Sequence, residues 1–358
     1  MPSDGRRPSP SAVRLAALAH GSPLSRGAAL AGEGIRTRHT TLVGAADVPV
    51  GRADPLLLPS ASMSALGPIV LRLGHSPDPD DAFMWWPLMS IDGRPPRVDT
   101  GSFTFETVAE DIEALNQRAE RAELDITAIS CAHYPRVRQD YRLTACGASV
   151  GDGYGPKLVA PRKLPLAALR DAGATIAVPG TRTTAFLATS LLLGPGSFRY
   201  EVVPFDRIID EVASGRFTAG VVIHEGQLTF GDHGLTLLRD LGAWWTERTG
   251  LPLPLGANAI SRRLDQRFGA GSIEAITAML RASVTYALDH RDESVQYALG
   301  FARGMDAATA DRFVSMYVNH WTLDYGDRGR EAVRRLLDDA HAAGLTPAAG
   351  EVDFVGGN

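Results

Sequence analysis

Two stretches of this chain carry the same alternation of short apolar strands and helical segments, and that alternation constrains the fold more than any other feature. The first opens at "IVLRLGHS" (69–76), which alternates apolar and other residues into a turn, as a strand does. "SPDPDD" cannot continue a strand; "DAFMWWPLM" reads as the first turns of a helix, with Asp80 or Asp81 as its N-cap. "VDTGSFTFE" is a second strand, and "TVAEDIEALNQRAERAE" is an amphipathic helix with Val108, Ile112 and Leu115 on one face. "LDITAIS" (124–130) is the third strand. From 174 to 225 the order recurs. "ATIAVPG" is a short buried strand, and "TRTTAFLATSLLLG" is a helix starting near Thr183. "YEVVPFDRIIDEVASG" is strand then helix, and "AGVVIHE" closes the unit as a strand. The two units share their order but show no sequence repeat. Beyond Ile260 the pattern is almost wholly helical.

Two β-α-β-α-β units imply mixed α/β layers. Two such lobes with a helical C-terminal segment predict an α/β, two-lobed, type II periplasmic-binding-protein-like fold, with a ligand cleft between the lobes near the strand ends. The chain is expected to cross between lobes near Leu158–Ala160 and to return near Leu253–Ala257. Lobe 1 then comprises residues 67–159 and 256–358, and lobe 2 residues 160–255. Residues 1–66 are read as a disordered tail or a mis-assigned start, their first 62 residues rich in Arg, Ser, Pro, Gly and Ala and a start at Met63 being the alternative. Their best apolar stretch, "AVRLAALAHG", is broken by Arg14 and leads to no clear cleavage site, so it makes a weak export signal.

The net charge of −5 points to neither nucleic acid nor an anionic membrane. No apolar run approaches the roughly 20 residues of a membrane span. Two cysteines, Cys131 and Cys146, build no disulfide scaffold and fit a reducing cytoplasm. A small-molecule substrate is the expected partner.

Four places hold residues that carry chemistry. In "PGTRTTAF" a strand ends in Pro-Gly and Thr-Thr-Ala opens a helix, whose free N–H groups and dipole make an anion site. The hydroxyls of Thr183 and Thr184 would add donors there, although a threonine at this place is also a good N-cap. "SPDPDD" clusters His75, Asp78, Asp80 and Asp81, but it matches no calcium loop and reads as a helix cap with solvated acids. In "DITAISCAHYP", Ser130 ends a strand at the expected cleft and can donate a hydrogen bond to a ligand, while Cys131 reads as a small buried hydrophobe. In "VVIHEGQLTF", His224 stands where an apolar strand ends, and imidazole titrates near neutrality, as a general base requires. The alternative is a structural histidine satisfied by backbone. In a regular strand Glu225 points to the opposite face and carries no chemistry. There is no HExxH, no Walker lysine and no GxGxxG leading into a helix, so no metal or cofactor is expected. Trp244 and Trp245 read as helix packing near the return crossover.

Taken together, "LRLGHSPDPDDAFMWWPL", "AVPGTRTTAF" and the long "GVVIHEGQLTFGDHGLTLLRDLGAWWTERTGLPLPLGANAISRRL" resemble the 1,4-dihydroxy-6-naphthoate synthase family of the futalosine route to menaquinone. The resemblance spans about residues 69–265 in order, and its third segment is the most specific. It implies the two-lobed binding-protein fold, no cofactor, and cleavage of a carbon–carbon bond in cyclic dehypoxanthine futalosine with release of a three-carbon fragment. It also implies that His224 is the catalytic histidine, that Ser130 binds ligand, and that Thr184 and Ala185 are the pair at a helix start. The chain departs from the family's usual Ser-Pro-Cys-Pro-Asn-Asp: Asp78 stands for the cysteine and Asp80 for the asparagine. This adds negative charge near a cleft expected to accept a carboxylate.

The same fold serves non-catalytic solute-binding proteins of transport systems, and fold alone does not separate the two. A transport protein needs export or an anchor, for which the N-terminal segment offers no convincing signal. Chorismate dehydratase of the same pathway is a third reading, which the Ile-His-Glu-Gly and Trp-Trp segments disfavour.

Overall fold

Strands Ile69–His75 (β1), Phe103–Ala109 (β2) and Ile126–Ser130 (β3) pair in parallel around β1, as a strand–helix–strand run requires. The computed structural model describes residues 69–302 and 305–357, so the expectations for residues 1–66 lie outside the described residues. Tyr141–Thr144 (β4) and Ser149–Gly151 (β5) follow in the same sheet. Lys157–Ala160 (β6) belongs to a second sheet, with Thr175–Val178 (β7), Arg199–Val202 (β8), Ala219–Val222 (β9) and Thr236–Asp240 (β10). Leu253–Ser261 (β11) returns to the first sheet, where Phe354–Val355 (β12) forms an edge.

The sheet orders show the internal likeness of the two units. The first sheet runs β12-β4-β11-β3-β1-β2, with β5 also on β11, and the second runs β10-β6-β9-β7-β8. In each, the three parallel strands of one unit are followed by an antiparallel strand next to or just beyond a crossing, β11 beside β3 and β6 beside β9. The chain leaves the first sheet between Gly151 and Lys157 and rejoins it between Asp240 and Leu253. The exit comes a few residues earlier than the expected Leu158–Ala160, because β6 already pairs in the second sheet from Lys157, while the return at Leu253 falls at the start of the expected Leu253–Ala257.

Burial explains the strand sequences. β3 is buried at all five positions because it lies between β1 and β11, so its sequence, ITAIS, shows no alternation of buried and exposed residues. β8 is an edge strand and is exposed at all four positions. In β9 a Cβ on Gly220 would meet the side chains of Ile208 and Val212 at 2.7 Å, so helix Ile208–Ala213 rests directly on the sheet. Helix Ser272–Asp289 buries Ile276, Leu280 and Val284 in the core around Leu73, Phe83 and Trp85. Helix Gly326–Ala342 buries Val333, Leu336 and Leu337 with Tyr134 and Leu143.

Local boundaries differ in two informative places. The helix after β1 spans Pro79–Trp85 with Asp78 at its N-cap position, not Asp80 or Asp81. Thr107–Ala109, expected to be helical, extend β2, because their backbone pairs with Leu73–His75 of β1. The short β12 had no periodic signal at two residues' length.

Candidate functional site

The carboxyl ends of four strands converge on one cavity of about 110 Å³ that is partly open to solvent. β1 delivers Ser76, Asp80 and Asp81; β3 delivers Ser130; β7 leads to Thr183, Thr184 and Ala185; β9 leads to Ile223 and His224. This is where an open α/β sheet places its ligands, since loops there are free to vary while the strands hold their roots. All five residues singled out for the site, Ser130, Thr183, Thr184, Ala185 and His224, line this one space. Phe313 and Tyr317, from helix Ala307–Tyr317, form part of its wall.

His224 does not continue β9. The strand ends at Val222, and His224 adopts a left-handed backbone with φ of 52°. That conformation is uncommon outside glycine, asparagine, aspartate and histidine, and its strain concentrates at sites that need a side chain aimed against the run of the chain. Its Nδ1 lies 2.9 Å from Asp78 Oδ2, and Phe205 packs edge-on against its ring with centroids 4.6 Å apart. Burial works against a charged imidazole here. The charge and hydrogen bond of Asp78, with help from Glu225 and Asp80, outweigh it and push the imidazole up to about 9.

The aspartates are not the solvated cap expected of them. Asp78, Asp80 and Asp81 are 1%, 7% and 7% exposed, and Asp78 makes no side-chain capping bond. Asp81 Oδ2 accepts from Ser76 N at 2.7 Å and from Ser76 Oγ at 2.9 Å. Burial raises the carboxyl of Asp81, against the opposing pull of His75 and those Ser76 bonds. Asp80 is held well above the usual carboxylate range by burial and by the charges of Asp81 and Asp78. Three acids so close cannot all ionise cheaply, and Asp80 is driven further toward its neutral form than Asp81. Among the described residues no group of three or more histidine, cysteine, aspartate or glutamate side chains is disposed to hold a metal ion.

The helix start divides into used and unused donors. Thr183 is the N-cap of helix Thr184–Leu193: its Oγ1 accepts from Phe186 N at 3.1 Å and donates to Gly180 O at 2.8 Å. Thr184 Oγ1 donates to Leu255 O at 2.8 Å and accepts from Ala132 N at 3.1 Å. A hydroxyl has a single proton, so neither threonine side chain keeps a donor for a ligand, contrary to the expectation from the sequence. What this turn offers is its backbone N–H groups, at Thr184 and Ala185, and the helix dipole. Ser130 differs. Its Oγ accepts from Asn116 Nδ2 at 3.0 Å and its N donates to Asn116 Oδ1 at 2.9 Å, so the hydroxyl proton is still to be placed.

Further contacts tie the two sheets' elements together at the cavity. Tyr317 OH donates to Gln227 Oε1 at 2.8 Å. Arg182 donates to Glu113 at 3.0 Å and to Glu120 at 2.9 Å, reaching from the loop before helix Thr184–Leu193 to helix Ile112–Glu120. Gln227 and Tyr317, which line the cavity, and the buried Asn116 that holds Ser130 escaped the sequence reading, since nothing in a lone polar residue on a helix marks it as part of a site. Cys131 is fully buried, and burial pushes its thiol up to about 12, as suits a core residue. Trp245 is buried, with Nε1 donating to Pro252 O at 3.1 Å, and neither it nor Trp244 lines the cavity.

This architecture is shared with known proteins. The chain is similar in fold to the alkanesulfonate-binding protein from Xanthomonas axonopodis bound to MOPS, with a TM-score of 0.58 at 14% identity over 80% of this chain and 98% of that one. It is also similar to a crystal structure of an Archaeoglobus fulgidus protein, with a TM-score of 0.70 and 42% identity over 77% of this chain and 98% of that one. Two curated relatives, both named 1,4-dihydroxy-6-naphthoate synthase, align along most of its length. The one from Thermus thermophilus is 41% identical over 80% of this chain and 99% of its own. The one from Streptomyces coelicolor is 40% identical over 78% and 96%. A family model described as menaquinone biosynthesis matches residues 71–342. The fold is the periplasmic-binding-protein-like one, and the chain belongs to the menaquinone-biosynthesis family, its role lying in that pathway.

Proposed function

We propose that the protein is a carbon–carbon lyase that converts cyclic dehypoxanthine futalosine to 1,4-dihydroxy-6-naphthoate with release of a three-carbon fragment, His224 acting as the base. The observation that carries this reading is the setting of His224: a strained, left-handed residue at the cavity wall, with one ring nitrogen engaged by a buried carboxylate. The curated relatives' shared name, 1,4-dihydroxy-6-naphthoate synthase, supports the product of this reading.

The cavity's polarity orients such a substrate. Its carboxylate belongs at the N–H groups of Thr184 and Ala185, where the helix dipole favours negative charge. The hydroxyl-bearing portion belongs beside His224, Ser130 and Asp80, whose carboxyl is pushed toward the protonated form by burial and by its acidic neighbours, since ionised acids would repel the other end. His224 takes the proton of a substrate hydroxyl; the oxygen's electron pair becomes a carbonyl as the neighbouring carbon–carbon bond breaks. The pair from that bond passes into the ring portion, whose aromatisation drives the step. Base catalysis of this kind is worth roughly 10²–10⁴-fold, and orientation in a water-poor cavity supplies more. The free, buried Cys131 and Cys146 suit a reducing cytoplasm.

The test is turnover by the full chain with cyclic dehypoxanthine futalosine and no added metal, read as dihydroxynaphthoate formed, beside His224→Asn. Product from the parent protein and a loss of 10²-fold or more in the variant are expected. Ligand binding without turnover by the parent protein would instead mark a solute-binding protein.

A further inference from the structure

The following inference rests on His224 being the proton acceptor and concerns what makes it one. An imidazole has two ring nitrogens, and a base must present the unprotonated one to its substrate. In this protein Nδ1 is taken, lying 2.9 Å from Asp78 Oδ2. Asp78 is 1% exposed and comes from the turn after β1, in the first sheet's part of the chain, whereas His224 follows β9 of the second. Phe205 holds the ring from another side, and the left-handed backbone fixes the direction of the Cα–Cβ bond. The imidazole is therefore oriented by three elements that meet at the cavity.

We propose that Asp78 is a positioning residue for His224: it accepts the Nδ1–H, so that the lone pair sits on Nε2, and it stabilises the imidazolium formed when Nε2 takes the substrate's proton. The balance is simple. The substrate's O–H bond breaks and an Nε2–H bond forms; the proton returns from Nε2 to solvent or product, and Asp78 stays ionised throughout. The charged or titratable groups facing the imidazole are Asp78, Asp80, Asp111 and Glu225, all acids, while Phe205 is apolar. Their combined field favours the imidazolium against the cost of burial, and Asp78 contributes most. A stronger base results, at the cost of a smaller unprotonated fraction at neutral pH. The rate is thus expected to rise with pH toward about 9 in the parent protein.

Nitrogen-detected NMR of the histidine-labelled full chain, with no substrate present, reads the tautomer directly. Expected is a His224 midpoint near 9, with the Nδ1-protonated form above it. In Asp78→Asn the midpoint should fall toward the ordinary value of about 6.5 and the pH–rate limb should move with it. There kcat should drop on the order of 10²–10⁴-fold, with KM little changed. If the parent protein shows Nε2 protonated, or titrates near 6.5, Asp78 does not set the tautomer, and this holds even where Asp78→Asn fails to fold. A folded Asp78→Asn with midpoint and limb unmoved overturns the proposal while leaving His224 as base. Full activity in His224→Asn removes the base assignment, and the role of Asp78 in the reaction with it.

Discussion

The pairing of His224 with Asp78 should be visible in stability alone, without any substrate. An unfolded imidazole titrates near 6.5, and the folded one near 9. At about 1.4 kcal/mol per pH unit, that separation corresponds to about 3 kcal/mol of folding free energy. The sign follows from the upward shift. The stabilisation is complete below about pH 6.5, where both states carry the proton, and is lost as pH rises through about 9. The side chain is 16% exposed, so solvent screening removes little of it. Against a total stability of roughly 5–15 kcal/mol, 3 kcal/mol is a large share. The assay is urea unfolding of the parent protein and His224→Asn at pH 6 and pH 10. The parent's advantage over the variant should shrink by about 3 kcal/mol between the two. An advantage independent of pH would refute the reasoning. An advantage that grows with pH would show that burial beats Asp78 and that the imidazole is held neutral.

Two other perturbations probe the walls of the cavity. Thr184→Val removes the hydroxyl that serves both Leu255 O and Ala132 N, leaving two buried backbone groups without their partner. This should cost about 1–3 kcal/mol, seen as a lower melting temperature in calorimetry; an unchanged melting temperature would mean that water replaces the hydroxyl there. Neither cysteine should react with a thiol reagent in the native protein, because burial pushes both thiols up to about 12; both should react in guanidinium, and fast native labelling would contradict the burial of Cys131 and Cys146.

Much of the architecture was legible because strand burial leaves a direct trace in composition. β3 and β9 sit inside their sheets and are buried along their whole length, so they carry few polar residues, none charged, and stand out between helices of different period. The convergence of Ser130, the helix start at Thr184 and His224 also follows from order alone, since equivalent strand ends of two like units must face a common cleft. The exit crossing lay a few residues ahead of its expected place because a largely apolar strand such as β6 looks the same in either sheet. The state of the aspartates was not legible at all. "SPDPDD" has the composition of a solvated cap, and only the fold shows that helix Ala307–Tyr317 and the loop at His224 close over it. The roles of Thr183 and Thr184 were half legible: their place at a helix start was plain, but the direction of each hydroxyl depends on Gly180, Leu255 and Ala132.

The acidic cluster and the expected substrate carboxylate pose a problem of charge that the geometry answers by separation. A carboxylate placed among three ionised aspartates would be repelled, and at short range in a low-dielectric cavity such repulsion amounts to several kcal/mol. Two arrangements remove it. Asp78 is matched by His224 as an ion pair, and Asp80 is driven toward its neutral acid by its own neighbours. The remaining positive potential of the cavity lies at the turn of Thr183 and Thr184, across a different set of strands. Removing the imidazole would therefore do more than delete a base. It would leave Asp78 without its counter-charge and raise the repulsion felt by any anion in the cavity. In His224→Asn substrate binding should weaken along with turnover, read as a raised KM beside the fall in kcat.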